Sequence, residues 1–242
     1  MAEGEAPLDL APDEIHVWRG ELDQPEATVE RLGRTLSPDE QERAKRFVLE
    51  RVRTRFVVGR GLLRAILARY LGRPPHRLRF AYGERGKPAL APAESTNLRF
   101  NVSHSGDVAL FAVARGREVG VDVEQLRPMP RAERIAERFF SAPERQALAA
   151  LPEARKVEGF FTCWTRKEAY IKARGDGLGH PLDQFAVTIA PGEPVRLSAV
   201  GDGDASEIAR WSLDGLPPRP GYVAALAAGG HGWRATNRDW PL

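Results

Sequence analysis

Twice along this chain the apolar residues change from the three-to-four-residue spacing of a helix to the two-residue spacing of a strand. Segments that bury a stripe, followed by segments that bury a face, specify an α+β protein when the order is repeated in this way. A short strand is expected at His16 to Gly20, ahead of the first block. Ser37 then offers an N-cap, with Pro38 at the first helical position and Glu40 completing a capping box. Ala44, Phe47, Val48, Val52 and Phe56 continue at helical spacing. A second helical stretch, residues 57–71, stops at Gly72 before Pro74 and Pro75. Residues 78–82, 98–102, 108–114 and 118–124 alternate as strands, the last two joined by a tight turn at 115–117. The pattern then restarts with a helix over 131–140, a capping box at Ser141 and Glu144, and a long helix over 153–174 stopped by Gly175 and Gly177. Strands over 185–189, 195–200, 208–213 and 222–228 close the chain, so the seam between the blocks falls near residues 115–120.

At 242 residues the chain suits one large domain or two small joined halves. The single cysteine, Cys163, excludes an intrachain disulfide and a thiolate metal cluster. The first fourteen residues carry Glu3, Glu5, Asp13 and Glu14 and no base, the opposite of a secretory signal. No apolar run approaches the roughly 20 residues of a membrane span, so a cytoplasmic protein without a membrane partner is expected. The net charge is only +3, but residues 31–79 hold 14 Arg or Lys against 4 Asp or Glu. Such a basic segment suits an anionic partner, whether nucleic acid, a phosphorylated small molecule or an acidic protein, and a solvated arginine-rich helix face accounts for it equally well. Only five of the 36 basic residues are lysine (Lys45, Lys87, Lys156, Lys167 and Lys172), which marks places where a compact ammonium is wanted.

Four segments carry candidate chemistry. In Gly120 to Glu124, Asp122 and Glu124 share one strand face, where two carboxylates repel unless a cation joins them; oxygen ligands without His or Cys suit Mg²⁺ or Mn²⁺. A plain acidic outer face is the alternative. In Trp164 to Leu178, Glu168 and Lys172 stand one helical turn apart beside Lys167, either a stabilising pair or a site. In Phe100 to Asp107, a Ser-His-Ser-Gly run offers hydroxyls, an imidazole and amides suited to phosphate. Lys87 and Pro88 sit in a Gly-Lys-Pro turn. No P-loop, dinucleotide fingerprint, nucleophile elbow or HExxH is present.

Taken in order, Gly-Lys-Pro at 86–88, Asn-Val-Ser-His-Ser at 101–105, Gly-Val-Asp-Val-Glu at 120–124 and Trp-Thr-Arg-Lys-Glu-Ala-Tyr-Ile-Lys-Ala-Arg-Gly-Asp-Gly-Leu at 164–178 resemble the 4'-phosphopantetheinyl transferases of the longer, surfactin-type branch. The resemblance implies a pseudo-two-fold monomer of two similar α+β halves, with coenzyme A bound at the active site in the cleft between them. Its N-terminal half, 1–117, would contact the phosphates and adenine of coenzyme A, and its C-terminal half, 118–242, would carry metal and catalysis. In those terms Asp122, Glu124 and Glu168 match the Mg²⁺ ligands, Ser103 and His104 phosphate contacts, Lys87 with Pro88 the turn near the adenine and phosphates, and Lys172 the lysine at the reacting phosphate, while Lys167, beside Glu168, is a further expected coenzyme contact. The chain departs from some members where they place a lysine and a threonine for the 3'-phosphate, having Glu40 and Phe56 instead, so Arg43, Arg55 and Arg60 are the expected contacts.

The implied reaction transfers the 4'-phosphopantetheine arm to a serine of an apo acyl or peptidyl carrier protein and releases 3',5'-ADP. Such chemistry needs charge spread from a pyrophosphate and a proton taken from a poor nucleophile. A divalent cation with Lys172 and His104 suits the first task, and Glu168 the second. The competing class, a non-catalytic module binding anions or nucleic acid through its arginines, would survive loss of Asp122 and weaken steeply with salt.

Overall fold

A computed structural model describes residues 7–83, 86–175, 181–190, 193–201, 203–216 and 219–241. The acids Glu3 and Glu5 and the helix stop at Gly177 lie outside these residues.

The chain is mixed α+β. In the first half, β1 (Glu14–Glu21) is followed by α1 (Glu26–Gly33), α2 (Pro38–Lys45) and α3 (Glu50–Leu71). The strands β2 (Phe80–Tyr82), β3 (Pro88–Leu90), β4 (Leu98–Ser105) and β5 (Val108–Arg115) follow. The second half runs β6 (Val119–Gln125), α4 (Ala132–Phe139), α5 (Ala142–Ala150), α6 (Glu153–Arg174), β7 (Phe185–Val187), β8 (Leu197–Ala199), α7 (Ala205–Ile208), β9 (Trp211–Leu216), β10 (Tyr222–Gly229) and β11 (Arg234–Asp239). Two main sheets form, in the orders β11-β1-β5-β4 and β6-β10-β9. All their pairs are antiparallel except β1 with β11, which run parallel. The last strand of the chain thus lies in the first half's sheet.

The alternation of side chains along the strands builds four layers. One face of the first sheet packs Trp18, Ala109 and Phe111 against Leu62, Ile66 and Leu67 of α3. One face of the second packs Ala225 and Ala227 against Phe161, Tyr170 and Ala173 of α6. The remaining faces meet each other through Ile15, Val17, Leu110 and Ala112 on one side and Val121, Val123, Ala224 and Leu226 on the other. The order is therefore helix, sheet, sheet, helix, and the two halves are joined by apolar sheet faces.

Several expectations need correcting. The helix expected from Ser37 through Phe56 breaks between Lys45 and Glu50: Leu49 is extended (φ −80, ψ 120) and caps α3 from outside. Val48 and Leu49 accordingly point to solvent, 95% and 68% exposed, instead of joining a core face. The strand expected over 208–213 begins only at Trp211, because Asp204 accepts from the amides of Ser206 and Glu207 and caps a helical turn that ends at Ile208. The strands expected over 185–189 and 195–200 shorten to β7 and β8. The helix α1 and the strands β3 and β11 were not anticipated.

Candidate functional site

Gly120 lets the site assemble. A Cβ at this position would collide with the Ala169 carbonyl and the Ala173 amide, so only glycine allows α6 to lie directly on β6. That approach puts Glu168 and Lys172, successive turns of α6, against the face of β6 that carries Asp122 and Glu124. Lys172 Nζ donates to Asp122 Oδ1 at 2.6 Å and to Ser103 Oγ at 3.0 Å. Ser103 Oγ donates to the same carboxylate oxygen at 2.7 Å, and Ser105 Oγ donates to Glu124 Oε2 at 2.7 Å. Arg127 holds that Glu124 oxygen from solvent at 3.0 Å. Asp122 is 5% exposed, so it is a buried residue and not, as the strand pattern suggested, part of an exposed acidic face.

Burial raises the Glu168 pKa above the ordinary glutamate value, with the Asp122 charge adding to the rise. Asp122 is also raised, by its burial first, against the pull of Lys172. His104 is lowered by desolvation and then by the cations of Lys172 and Arg55, which keeps a neutral imidazole at neutral pH. As they stand, no three His, Cys, Asp or Glu side chains among the described residues are gathered closely enough to hold a metal ion. Two orphaned groups nevertheless fit one: Asp122 Oδ2 and Glu168 Oε1 are buried with no hydrogen-bond partner. Buried anionic oxygens left in this state are costly unless a cation meets them. With Glu124, held at Oε2 by Ser105 and Arg127, the donor set would be all oxygen, and such a set suits Mg²⁺ or Mn²⁺.

Beside the carboxylates lies a cavity of about 650 Å³ whose wall includes Arg43, Arg55, Arg60, Pro88, His104 and Ser105. Five residues expected at the coenzyme (Arg43, Arg55, Arg60, Pro88 and His104) therefore share one concave surface. Two of its arginines already hold carboxylates: Arg55 pairs with Asp23 at 2.7 Å and Arg60 with Glu40 at 3.0 Å. Arg43 lies over the Phe56 ring.

Three expected residues lie elsewhere. Lys167 is fully buried, its ammonium paired with Glu144 at 2.8 Å and donating to the carbonyls of Leu182 and Phe185 at 2.7 Å each. It faces the interior and not the cavity, so its placement beside the phosphates is corrected to an internal lock. Lys87 donates to the Lys172 carbonyl at 2.6 Å, tying the turn before β3 to the C-terminal end of α6, and stands outside the cavity wall that includes Pro88. Ser103 is 6% exposed and committed to Asp122, a carboxylate contact where a phosphate contact was expected. Ser105, expected with Ser103 among hydroxyls suited to phosphate, holds Glu124 instead, and Asn101 accepts from the Val121 amide; alternate polar residues at 101, 103 and 105 on an otherwise apolar strand are the sequence signal for this face.

Comparison with known proteins bears on the whole chain. The model of the 4'-phosphopantetheinyl transferase superfamily matches residues 118–227, and that of the 4'-phosphopantetheinyl transferase N-terminal region matches residues 18–115. The chain is 45% identical over 229 residues to the 4'-phosphopantetheinyl transferase HetI of Nostoc sp., covering 94% of this chain and 92% of that one. It is 30% identical over 199 residues to the 4'-phosphopantetheinyl transferase Sfp of Bacillus subtilis, covering 82% and 84%.

Proposed function

The chain belongs to the 4'-phosphopantetheinyl transferase family, and from that premise we propose that it moves the 4'-phosphopantetheine arm of coenzyme A onto a serine hydroxyl of an apo acyl or peptidyl carrier protein, releasing 3',5'-ADP. The observation that carries the assignment of roles is the meeting of Asp122, Glu124, Glu168 and Lys172 at the edge of the arginine-lined cavity. The cavity takes the nucleotide end of coenzyme A, with Arg43, Arg55 and Arg60 around its 3'-phosphate and His104 at the pyrophosphate. Asp122, Glu124 and Glu168 hold Mg²⁺. When bound, the ion supplies positive charge to the pyrophosphate and its leaving group.

The protein's own groups do the rest. Lys172 turns from Asp122 to the reacting phosphate, where its ammonium offsets charge that grows in the transition state. Glu168, whose Oε1 is buried with no hydrogen-bond partner, is placed to accept the serine proton. His104, neutral, donates one ring N–H to a phosphate oxygen without adding charge. Among the described residues no helix is long and apolar enough to cross a membrane. We place the enzyme in the cytoplasm as a monomer that needs neither nucleic acid nor membrane, since one chain supplies the cavity, lined from its first half, and all three carboxylates, carried by its second. Incubating a panel of apo carrier proteins with the enzyme, coenzyme A and Mg²⁺, then weighing the carriers, tests this reading. Addition of one phosphopantetheine per carrier serine is expected, and carriers unchanged in every arm would overturn it.

A further inference from the structure

The edge of β6 away from β10 presents backbone N–H groups at Val121, Val123 and Gln125, and no strand pairs with them there. An open edge of this kind costs hydrogen bonds when buried and invites foreign strands when exposed. Side chains of β4 close it. The Val121 amide donates to Asn101 Oδ1 at 3.0 Å, the Val123 amide to Ser103 Oγ at 3.4 Å and the Gln125 amide to Ser105 Oγ at 3.1 Å. The separation is 20 residues every time. Two parallel strands from different sheets are thus held in register through side chains instead of carbonyls. Each serine also works in the other direction: while accepting from the amide twenty residues on, it donates to the carboxylate nineteen residues on, Ser103 to Asp122 and Ser105 to Glu124. At Asn101 the corresponding residue is Gly120, which has no side chain.

We infer that the hydroxyls of this ladder orient the metal-binding carboxylates, with Ser105 as the positioning residue for Glu124; the inference rests on the transferase reading only for the role of those carboxylates. A hydroxyl that accepts from a rigid backbone amide has its proton aimed, so it fixes one oxygen of its carboxylate and thereby directs the other. Asp122 already shows the result: Oδ1 is held by Ser103 and Oδ2 points into the buried space unpartnered. Partners of ligating groups commonly govern metal affinity in this way. Asn101 takes part in the register alone and touches no carboxylate.

The test measures Mn²⁺ binding to the full chain by electron paramagnetic resonance, together with the Mg²⁺ dependence of transfer. Ser105→Ala is expected to weaken Mn²⁺ by about 10- to 100-fold and to raise the Mg²⁺ concentration for half-maximal rate, with the rate recovering at saturating Mg²⁺. Ser105→Thr keeps the hydroxyl and is expected to restore affinity. Asn101→Ala is expected to lower the Tm while its folded molecules bind Mn²⁺ as wild type does. Wild-type affinity in Ser105→Ala, no rescue by Thr, or equal weakening in Asn101→Ala would each overturn the positioning role, while wild-type transfer continued. A wild-type protein that neither binds Mn²⁺ nor transfers would instead sink the transferase reading beneath it.

Discussion

The two halves repeat one scaffold and gather carboxylates on only one copy. Each has a strand, a short helix, a second short helix opened by a Ser–Glu capping box, and a 22-residue helix closed by a glycine in the left-handed region, Gly72 (φ 60) or Gly175 (φ 84). In each, the capping-box glutamate is buried and paired with a buried base at the fifteenth position of the long helix: Glu40 with Arg64 at 2.6 Å, and Glu144 with Lys167 at 2.8 Å. In each, that base also donates to two carbonyls of the chain beyond the helix, those of Pro75 and Leu78 or of Leu182 and Phe185. The departure at Glu40, read against relatives as a lost phosphate contact, is therefore the first copy of the lock seen at Glu144. The copies part at the functional positions. Nineteen residues before the capping serine stands Trp18 in one half and Asp122 in the other; seventeen before it, Gly20 and Glu124. After the fifteenth helix position come Ala65 and Glu168. Where one copy packs apolar surface, the other gathers carboxylates, so a shared skeleton is locked twice while Asp122 Oδ2 and Glu168 Oε1 stand buried and unpartnered in the second copy.

The sharpest way to break this asymmetry is Glu168→Gln. The substitution keeps shape but cannot take the proton, and transfer is expected to fall by about 10² to 10⁴ with coenzyme A binding retained. Single-turnover transfer and calorimetry at saturating Mg²⁺ read the two effects separately. A normal turnover rate would move the base to another group.

Removing one partner of either lock comes next. Lys167→Met leaves the buried Glu144 carboxylate without its cation, at a cost of about 3–5 kcal/mol, or roughly 10 °C in Tm for a chain this long, and Arg64→Met is expected to cost less because Arg60 still holds Glu40. Glu144→Leu combined with Lys167→Met is expected to recover much of the loss. Melting curves decide the point: a Lys167→Met protein of undiminished Tm but impaired affinity for coenzyme A would return Lys167 to the phosphates.

The halves are also expected to answer pH in opposite senses. His16 is 1% exposed, with Nδ1 2.7 Å from the Tyr70 hydroxyl, and its pKa is lowered below 6.5 by burial first and Arg238 second. The stability it contributes is present above pH 6.5 and lost as pH falls toward its folded value. Asp122 and Glu168 are raised, so the metal-free protein is expected to lose their contribution as pH rises through their folded values. Tm measured against pH in EDTA is expected to lose, in Glu168→Gln, the fall that begins as pH rises above 4.5 and, in His16→Gln, the fall that begins as pH drops below 6.5. Identical profiles for both variants would remove the contrast.

The smallest effect concerns the arginines of the cavity. Coenzyme A at a hundredfold excess over its Kd is expected to stabilise the protein by about 2.7 kcal/mol, and dephospho-coenzyme A by less. Arg43→Gln is expected to narrow that difference, and equal thermal shifts for the two ligands on wild type would take the 3'-phosphate away from this surface.

Period and caps made most of this architecture legible before any coordinates. Both capping boxes, α4, α6 and the strands β4, β5, β6 and β10 follow from spacings of 3.6 and two and from local side-chain bonds to backbone, all within a few residues of chain. The three segments that bear Asp122, Glu124, Glu168, Lys172 and His104 were likewise visible, because each chemistry demands particular residue types at fixed local separations. Long-range packing decided the rest. The strand β11 is polar and pairs in parallel with β1 more than two hundred residues away, so nothing local announces it. Whether a lysine in the helix faces a phosphate or the interior depends on which turn meets the sheet, and that contact carried Lys167 inward while leaving Lys172 at Asp122. The pairing of Ser103 and Ser105 with the carboxylates exists only where two edges from separate sheets lie side by side, a distance relation that no window of sequence contains.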